Sequence, residues 1–233
     1  MTLKIPSMHV FFGGLFDPPH MGHLQCVMKV IEAIPEATII VSPTPRSTEA
    51  HKIRDHETHY DHRIAMCNIQ FNHLPRVRVD RFESFLPPPH YTFKSLQYLK
   101  DTGHEKLGIL LGEDQFWNLP RWRHPERIIK LAQIIVLARM SDLEASNQNI
   151  IHTLNNGTAC SYLEKILLNA NPEMGSNPSG LKPPLLLDED PHRASSSLLR
   201  AEFSVNPESE LIGAWIVPEV LNYIKQHQLY NDP

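Results

Sequence analysis

Short apolar runs alternate along most of the chain with segments of helical periodicity. The first run covers 8–12, and the segment after it places apolar residues at helical spacing, namely Leu24, Val27, Met28, Ile31 and Ile34. Further strands are predicted at the runs 37–42, 77–79, 106–112, 133–138 and 185–187. Further helices are predicted at 60–71, 91–99, 126–131, 195–203 and 218–227, with a short one at 161–168. This alternation predicts an α/β fold in which helices flank a doubly wound parallel sheet.

Polar stretches without periodicity separate several of these elements. The segment 43–58 has the composition of a long functional loop, and 83–90 contains three consecutive prolines that can continue neither a helix nor a strand. The segment 141–184 is largely polar and predicts an exposed, loop-rich excursion. Because composition does not divide the chain, we predict a single domain over 1–233.

Composition excludes several classes of protein. Hydrophobic residues make up 41% and charged residues 21%, which is ordinary for a soluble globular protein, and no apolar run reaches membrane-spanning length. The first residues lack an apolar signal core, so a cytoplasmic location is predicted. The three cysteines form no C-x-x-C pair, which favours reduced thiols. A net charge of -4 argues against a long nucleic-acid partner, whereas a small phosphate ligand needs only local cations. The sequence leaves a homo-oligomer possible.

A glycine-containing turn joins the first predicted strand to the first helix, with the sequence GGLFDPPHMGHL over 13–24. The paired glycines permit a sharp turn and close approach of a ligand to the main chain. Free amides at the start of a helix favour phosphate. His20 and His23 are three residues apart, so both imidazoles should leave the same face of the helix at its positive end. The turn therefore predicts a phosphate site.

Two other interpretations of this turn exist. It could be a plain connection with incidental histidines, or the His-x-x-His spacing could hold zinc. Ligand spacing alone requires neither Asp17-Pro18 nor paired glycines, so phosphate binding is favoured over both.

The pattern Gly-Gly-x-Phe-Asp-Pro-x-His-x-Gly-His-Leu resembles the signature of the nucleotidyltransferases that share a Rossmann-like fold. Within them it resembles the nicotinate-nucleotide adenylyltransferase family. The resemblance implies ATP binding by Gly13, Gly14, Leu15, Phe16, His20, Gly22 and His23, with catalytic roles for the two histidines. Leu15 stands where the family usually has Ser or Thr.

A late segment, 195–200, resembles the family motif Ile-Ser-Ser-Thr-x-Ile/Leu-Arg, with Ala194 in place of isoleucine. The resemblance implies phosphate contacts from Ser195, Ser196, Ser197 and Arg200, with Arg200 also catalytic. Gly112 and Asp114 resemble the family's Gly-x-Asp and are predicted at the ATP. The alternative for the serines is an ordinary helix cap, which uses the same residue types.

The resemblance also implies a site for the second substrate, nicotinate mononucleotide. Lys52 matches the lysine of the family's Pro-Pro-His-Lys segment, and is predicted to bind this substrate and to act in catalysis. Tyr91, Thr92 and Trp122 are predicted to bind it too, because indole stacks well on a flat ring. Lys52 could instead be a solvated loop residue, and Trp122 a core residue. His90 and Lys94 replace the family's Ser and Asp.

These features predict an adenylyltransferase that joins ATP and nicotinate mononucleotide to give nicotinate adenine dinucleotide and pyrophosphate in NAD biosynthesis. Mg²⁺ is expected with ATP, and no metal is expected on protein side chains. Another phosphorylated acceptor, such as nicotinamide mononucleotide, and a catalytically silent nucleotide-binding regulator are the alternatives. A tRNA ligase is disfavoured because the chain has no Lys-Met-Ser-Lys-Ser motif.

Overall fold

The computed structural model describes residues 8–46, 58–138, 184–188 and 192–230. The strands within these ranges are β1 (His9–Gly14), β2 (Thr38–Pro43), β3 (Val77–Val79), β4 (Leu107–Gly112), β5 (Gln133–Ala138) and β6 (Leu185–Asp188). The helices are α1 (Met21–Ala33), α2 (Tyr60–Phe71), α3 (Thr92–Asp101), α4 (Glu113–Asn118), α5 (Pro125–Leu131), α6 (Ser196–Val205), α7 (Glu210–Trp215) and α8 (Pro218–Gln226). Two short 3-10 helices cover Phe82–Phe85 and Leu119–Arg121.

The chain divides into two compact units that share β1. The first unit comprises Met1–Val10 and Thr92–Pro191, and the second comprises Phe11–Tyr91 and His192–Pro233. Strands of the first unit follow the order β1-β4-β5-β6, and those of the second follow β3-β2-β1. This order reverses at β1, as in the Rossmann folds that bind nucleotides at the reversal point. The predicted doubly wound parallel sheet is therefore confirmed.

In the first unit, β4, β5 and β6 pair in parallel, with Ile109 opposite Ile134 and Ile135 opposite Leu185. Nearly every residue of β4 is buried, which explains why these strands are continuous apolar runs rather than alternating ones. The α3 helix packs through Phe93, whose ring lies 4.6 Å from the guanidinium carbon of Arg127 on α5.

In the second unit, β2 pairs in parallel with β3, with Ile39 opposite Val77. Beside this pair, α2 packs against the three last helices through one apolar cluster. Its buried members are Met66, Leu199, Phe203, Ile212, Ile216, Val220 and Ile224. The cluster joins α2 to α6, α7 and α8 within the second unit.

The structure extends the predicted element list in two places. The α4 and α7 helices, each six residues long, were not predicted, since helices this short carry little periodic signal. The predicted helix 161–168 and most of the predicted loop 43–58 lie outside the described residues. Among the described helices, none combines the length and the apolar character needed to cross a membrane. The single domain over 1–233 and the cytoplasmic location stay predictions.

Candidate active site

The turn after β1 is held by packing rather than by unusual glycine conformations. A methyl group on Gly13 would lie 2.6 Å from the ring of Phe11, and one on Gly14 would lie 3.3 Å from the ring of Phe16. The left-handed residue of the turn is Phe16, with φ of 51°. Aromatic rings therefore leave no room for a side chain at Gly13 and little room at Gly14. This steric reason differs from the sharp-turn role that was predicted for the two glycines.

His20 and His23 meet at the start of α1. His20 is the residue before the helix, and its backbone N–H donates to Nδ1 of His23 at 3.2 Å. The two rings stack with centroids 3.7 Å apart and planes 27° from parallel. Since Nδ1 of His23 accepts, the neutral ring carries its proton on Nε2. Phe16 supports this ring from another side, at 4.8 Å between centroids.

Both imidazoles are neutral at pH 7. Burial, and in second place the nearby His192, lowers the pKa of His20 to about 4. Burial, and in second place His20, lowers the pKa of His23 well below its usual range. The pair therefore offers N–H donors rather than fixed positive charge.

The start of α6 is docked on the same turn. Ser196 Oγ donates to the carbonyl of Pro18 at 2.9 Å, and the Arg200 guanidinium donates to the carbonyl of Asp17. The guanidinium also donates to Ser197 Oγ at 3.0 Å. Ser195 stands at the N-cap position without a side-chain capping bond, so the capping interpretation is not supported for this serine. Residues almost two hundred positions apart are brought together at one turn.

Two further residues at this turn were not predicted. The carboxylate of Asp17 is 3% exposed, and its Oδ1 accepts from the hydroxyl of Tyr230 at 2.6 Å. Burial and then the Asp17 charge raise the pKa of Tyr230 well above its usual range, so the phenol stays protonated. Asp17 is part of the signature sequence but was assigned no role, and no local pattern pointed to Tyr230.

Arg63 is a further residue of the second unit that was not predicted. Its side chain is 1% exposed and donates to the carbonyls of Leu15 and Thr44 at 2.8 Å, Pro45 at 2.9 Å and Thr58 at 3.0 Å. The guanidinium thus joins the turn after β1 to the end of β2 and to the residues before α2. The sequence does not distinguish Arg63 from any other arginine on a helix. Its four acceptors are backbone carbonyls, which every residue has, so no pattern of side chains reveals them.

Four other predicted residues, Thr92, Gly112, Asp114 and Trp122, belong to the first unit. Gly112 ends β4 and precedes α4, and the Asp114 carboxylate accepts from Gln115 at 2.8 Å. Trp122 follows a 3-10 helix and is half-buried, which argues against a core role. Thr92 is the first residue of α3, and Tyr91 before it is the last residue of the segment Phe11–Tyr91 of the second unit.

Lys52 lies outside the described residues. Within the described part of the chain, no group of three or more His, Cys, Asp or Glu side chains is arranged to hold a metal ion.

Comparisons with known proteins identify the family of this chain. The model of the cytidylyltransferase-like family matches residues 11–202. A probable nicotinate-nucleotide adenylyltransferase of Roseiflexus sp. (strain RS-1) is 38% identical over 127 residues, which span 54% of this chain and 63% of that protein, less than two thirds of its length. One of Aquifex aeolicus (strain VF5) is 33% identical over 144 residues, or 61% of this chain and 84% of that protein.

A solved structure has the same fold over nearly the whole chain. The Plasmodium falciparum nicotinic acid mononucleotide adenylyltransferase, complexed with NaAD, superposes with a TM-score of 0.68 at 18% identity and covers 97% of this chain and 98% of its own. The family match and the relatives concern the sequence, and this structure concerns the fold alone. The chain belongs to the cytidylyltransferase-like family, among the nucleotidyltransferases named nicotinate-nucleotide adenylyltransferase.

Proposed function

We propose that this protein transfers the adenylyl group of ATP to nicotinate mononucleotide. An oxygen of the mononucleotide phosphate attacks the α-phosphorus of ATP, a new P–O bond forms, and the bond from the α-phosphorus to its bridging oxygen breaks. The leaving pyrophosphate takes the electron pair, and nicotinate adenine dinucleotide is the other product. We call the segment 13–24, which joins β1 to α1, the signature turn. The docking of α6 on this turn, through Ser196 and Arg200, is the single observation that carries the proposal.

The signature turn supplies donors for the triphosphate. The first amides of α1 belong to its positive end, and of these the backbone N–H of His23 already donates to the His20 carbonyl at 2.9 Å. Nε2–H of His23 adds a directed donor, because its Nδ1 is already used by the backbone N–H of His20. An approaching phosphate favours the protonated imidazole, so nucleotide binding should raise the pKa of both rings.

Arg200 supplies permanent charge at the same turn. A guanidinium suits phosphate because its planar donors match two oxygens, and it remains charged at every working pH. Its contacts with the Asp17 carbonyl and Ser197 Oγ hold the group at the turn before any nucleotide arrives. Transfer of this kind depends on alignment and charge neutralisation rather than on a covalent protein nucleophile.

The other substrate contacts are proposed from the resemblance. Gly112 and Asp114 are assigned to ATP, and Lys52, Tyr91, Thr92 and Trp122 to nicotinate mononucleotide, with Lys52 also acting in catalysis. The half-exposed indole of Trp122 supports a stacking role. Mg²⁺ is proposed to accompany ATP, since it is commonly held by phosphate oxygens and water rather than by a protein cage.

One comparison tests the proposal. The protein is incubated with ATP and either nicotinate mononucleotide or nicotinamide mononucleotide, and the dinucleotide and pyrophosphate are measured side by side. Formation of nicotinate adenine dinucleotide at the higher kcat/KM is the expected result. A preference for the amide would overturn the acceptor and keep the chemistry, whereas ATP binding without either product would identify a silent nucleotide-binding regulator.

A further inference from the structure

One imidazole beside the signature turn has no role in the mechanism above. His192 lies in the loop before α6, and its backbone N–H donates to Oε1 of Gln25 on α1 at 2.8 Å. Its Nδ1 accepts from the backbone N–H of Ala194 at 3.0 Å, and its ring meets Trp215 of α7 edge to face. The α1 contact therefore holds the backbone of His192, and α7 and its own loop hold the imidazole.

His192 stands next to His20 at Gly22. A methyl group on Gly22 would lie 3.1 Å from Nδ1 and Cε1 of His20 and 3.6 Å from Cβ of His192. Both side chains thus border the same α-carbon in the first turn of α1. The effect of His192 on the pKa of His20 is a second sign of this proximity.

The surroundings of His20 point to a ligand. Its side chain is 7% exposed, and its Nδ1, which faces the backbone N–H of His23 across the start of the helix, makes no close hydrogen bond among the described residues. A buried polar atom without a partner is costly unless a bound group satisfies it. His192 offers a donor beside it. Because its Nδ1 already accepts a hydrogen bond, the neutral His192 ring carries its proton on Nε2 and can donate it to an oxygen of a bound group.

We propose that His192 is a third imidazole of the phosphate site, whose Nε2–H donates to an oxygen of the ATP triphosphate beside His20. This inference rests on the proposed function for the identity of its ligand. It assigns a phosphate contact to a residue outside both motifs, on the loop that leads into α6.

Paired substitutions separate binding from support of the loop. In His192→Gln the side-chain amide reaches the position of Nε2 and keeps a donor there. In His192→Asn the side-chain oxygen reaches the position of Nδ1, so the bond from Ala194 survives and the distal donor is lost. His73→Gln, on an exposed turn after α2, is the matched control.

The dissociation constants of ATP and of inorganic tripolyphosphate are measured by calorimetry, and KM is measured for both substrates. We expect His192→Asn to weaken ATP and tripolyphosphate binding by about tenfold or more, the loss typical of a hydrogen bond to a charged group. His192→Gln should lose less, KM for the mononucleotide should be unchanged, and His73→Gln should match the wild type.

A supporting role in the loop predicts the reverse order, with His192→Asn close to wild type and His192→Gln impaired, and that result would overturn the inference. Equal ATP affinity in all four proteins would also overturn it. Unfolding midpoints of the variants identify any loss that comes from misfolding. Because nucleotide binding is measured without an acceptor, failure to form nicotinate adenine dinucleotide would reject the proposed function and leave this measurement standing.

Discussion

The hydroxyl of Tyr230 donates to Oδ1 of Asp17 at 2.6 Å, and the two residues are 213 positions apart in the chain. Phe203 stacks on the Tyr230 ring at 5.4 Å between centroids, so the phenol is fixed from α6 as well. A residue far along the chain therefore contacts the signature turn directly. Tyr230 acts on the turn through a buried carboxylate and is a positioning residue.

We expect Tyr230→Phe to lower the free energy of unfolding by about 1–3 kcal/mol, because the Asp17 carboxylate loses its donor while it stays buried. Urea unfolding measures this loss. A double-mutant cycle with Asp17→Asn isolates the pair, and a coupling energy of zero would show that the hydrogen bond contributes nothing to stability.

We expect Arg63→Lys to destabilise the protein by about 2 kcal/mol or more, since an ammonium cannot reach carbonyls on three segments in the geometry of a guanidinium. Thermal unfolding measures the effect. Arg76→Lys, at an exposed turn residue, is the control and should change stability by less than about 0.5 kcal/mol. Equal midpoints for the two variants would contradict this role of Arg63.

Acid should destabilise the protein through His20. The folded pKa of about 4 lies below the unfolded value of 6.5, so the unfolded chain binds more protons between these pH values. The stability due to neutral His20 is fully present above pH 6.5 and is lost as pH falls towards 4, by about 3 kcal/mol. Unfolding free energies from pH 7.5 to 4.5 should fall less steeply for His20→Gln than for the wild type. The same slope in both proteins would contradict the prediction.

A methyl group at Gly22 should disturb the site more than the fold. In Gly22→Ala the new carbon would lie 3.1 Å from the His20 ring, so the ring must move. We expect turnover to fall at least tenfold, because misplaced catalytic groups are costly. Gly213→Ala is a matched control, because nothing lies within 4 Å of its new carbon, and it should raise stability by about 0.5–1 kcal/mol. Full activity of Gly22→Ala would show that the His20 position is not critical.

His23→Ala should lower kcat by about 10² or more, the loss typical of one donor that acts in the transition state. Initial rates at saturating ATP and mononucleotide test this expectation. A higher KM for ATP with unchanged kcat would instead assign His23 to ground-state binding.

Sequence patterns predicted the sheet because β4 and β5 are buried on both faces and are therefore continuous apolar runs. They also predicted that His20 and His23 would meet, since residues three apart share one face of a helix. The contact of Arg200 with the same turn was expected only from the family resemblance.

Contacts between distant segments could not be predicted from local patterns. Arg63 binds backbone carbonyls, which are the same in every residue type. The hydrogen bond from Tyr230 to Asp17 joins residues 213 positions apart, and it depends on how the last helices pack on α2. The serines of α6 were open to a capping interpretation for a similar reason, because the bond of Ser196 to Pro18 depends on tertiary packing.

The signature turn has a consequence for biosynthesis. The carbonyls of Asp17 and Pro18 accept hydrogen bonds from Arg200 and Ser196, which the ribosome adds almost two hundred residues later. The Asp17 carboxylate accepts one from Tyr230, which is added later still. A nascent chain that has released only β1 and α1 therefore lacks Ser196, Arg200 and Tyr230 at this turn. The contacts described for the turn can be complete only after residue 230 has been synthesised, rather than when the two histidines first come together.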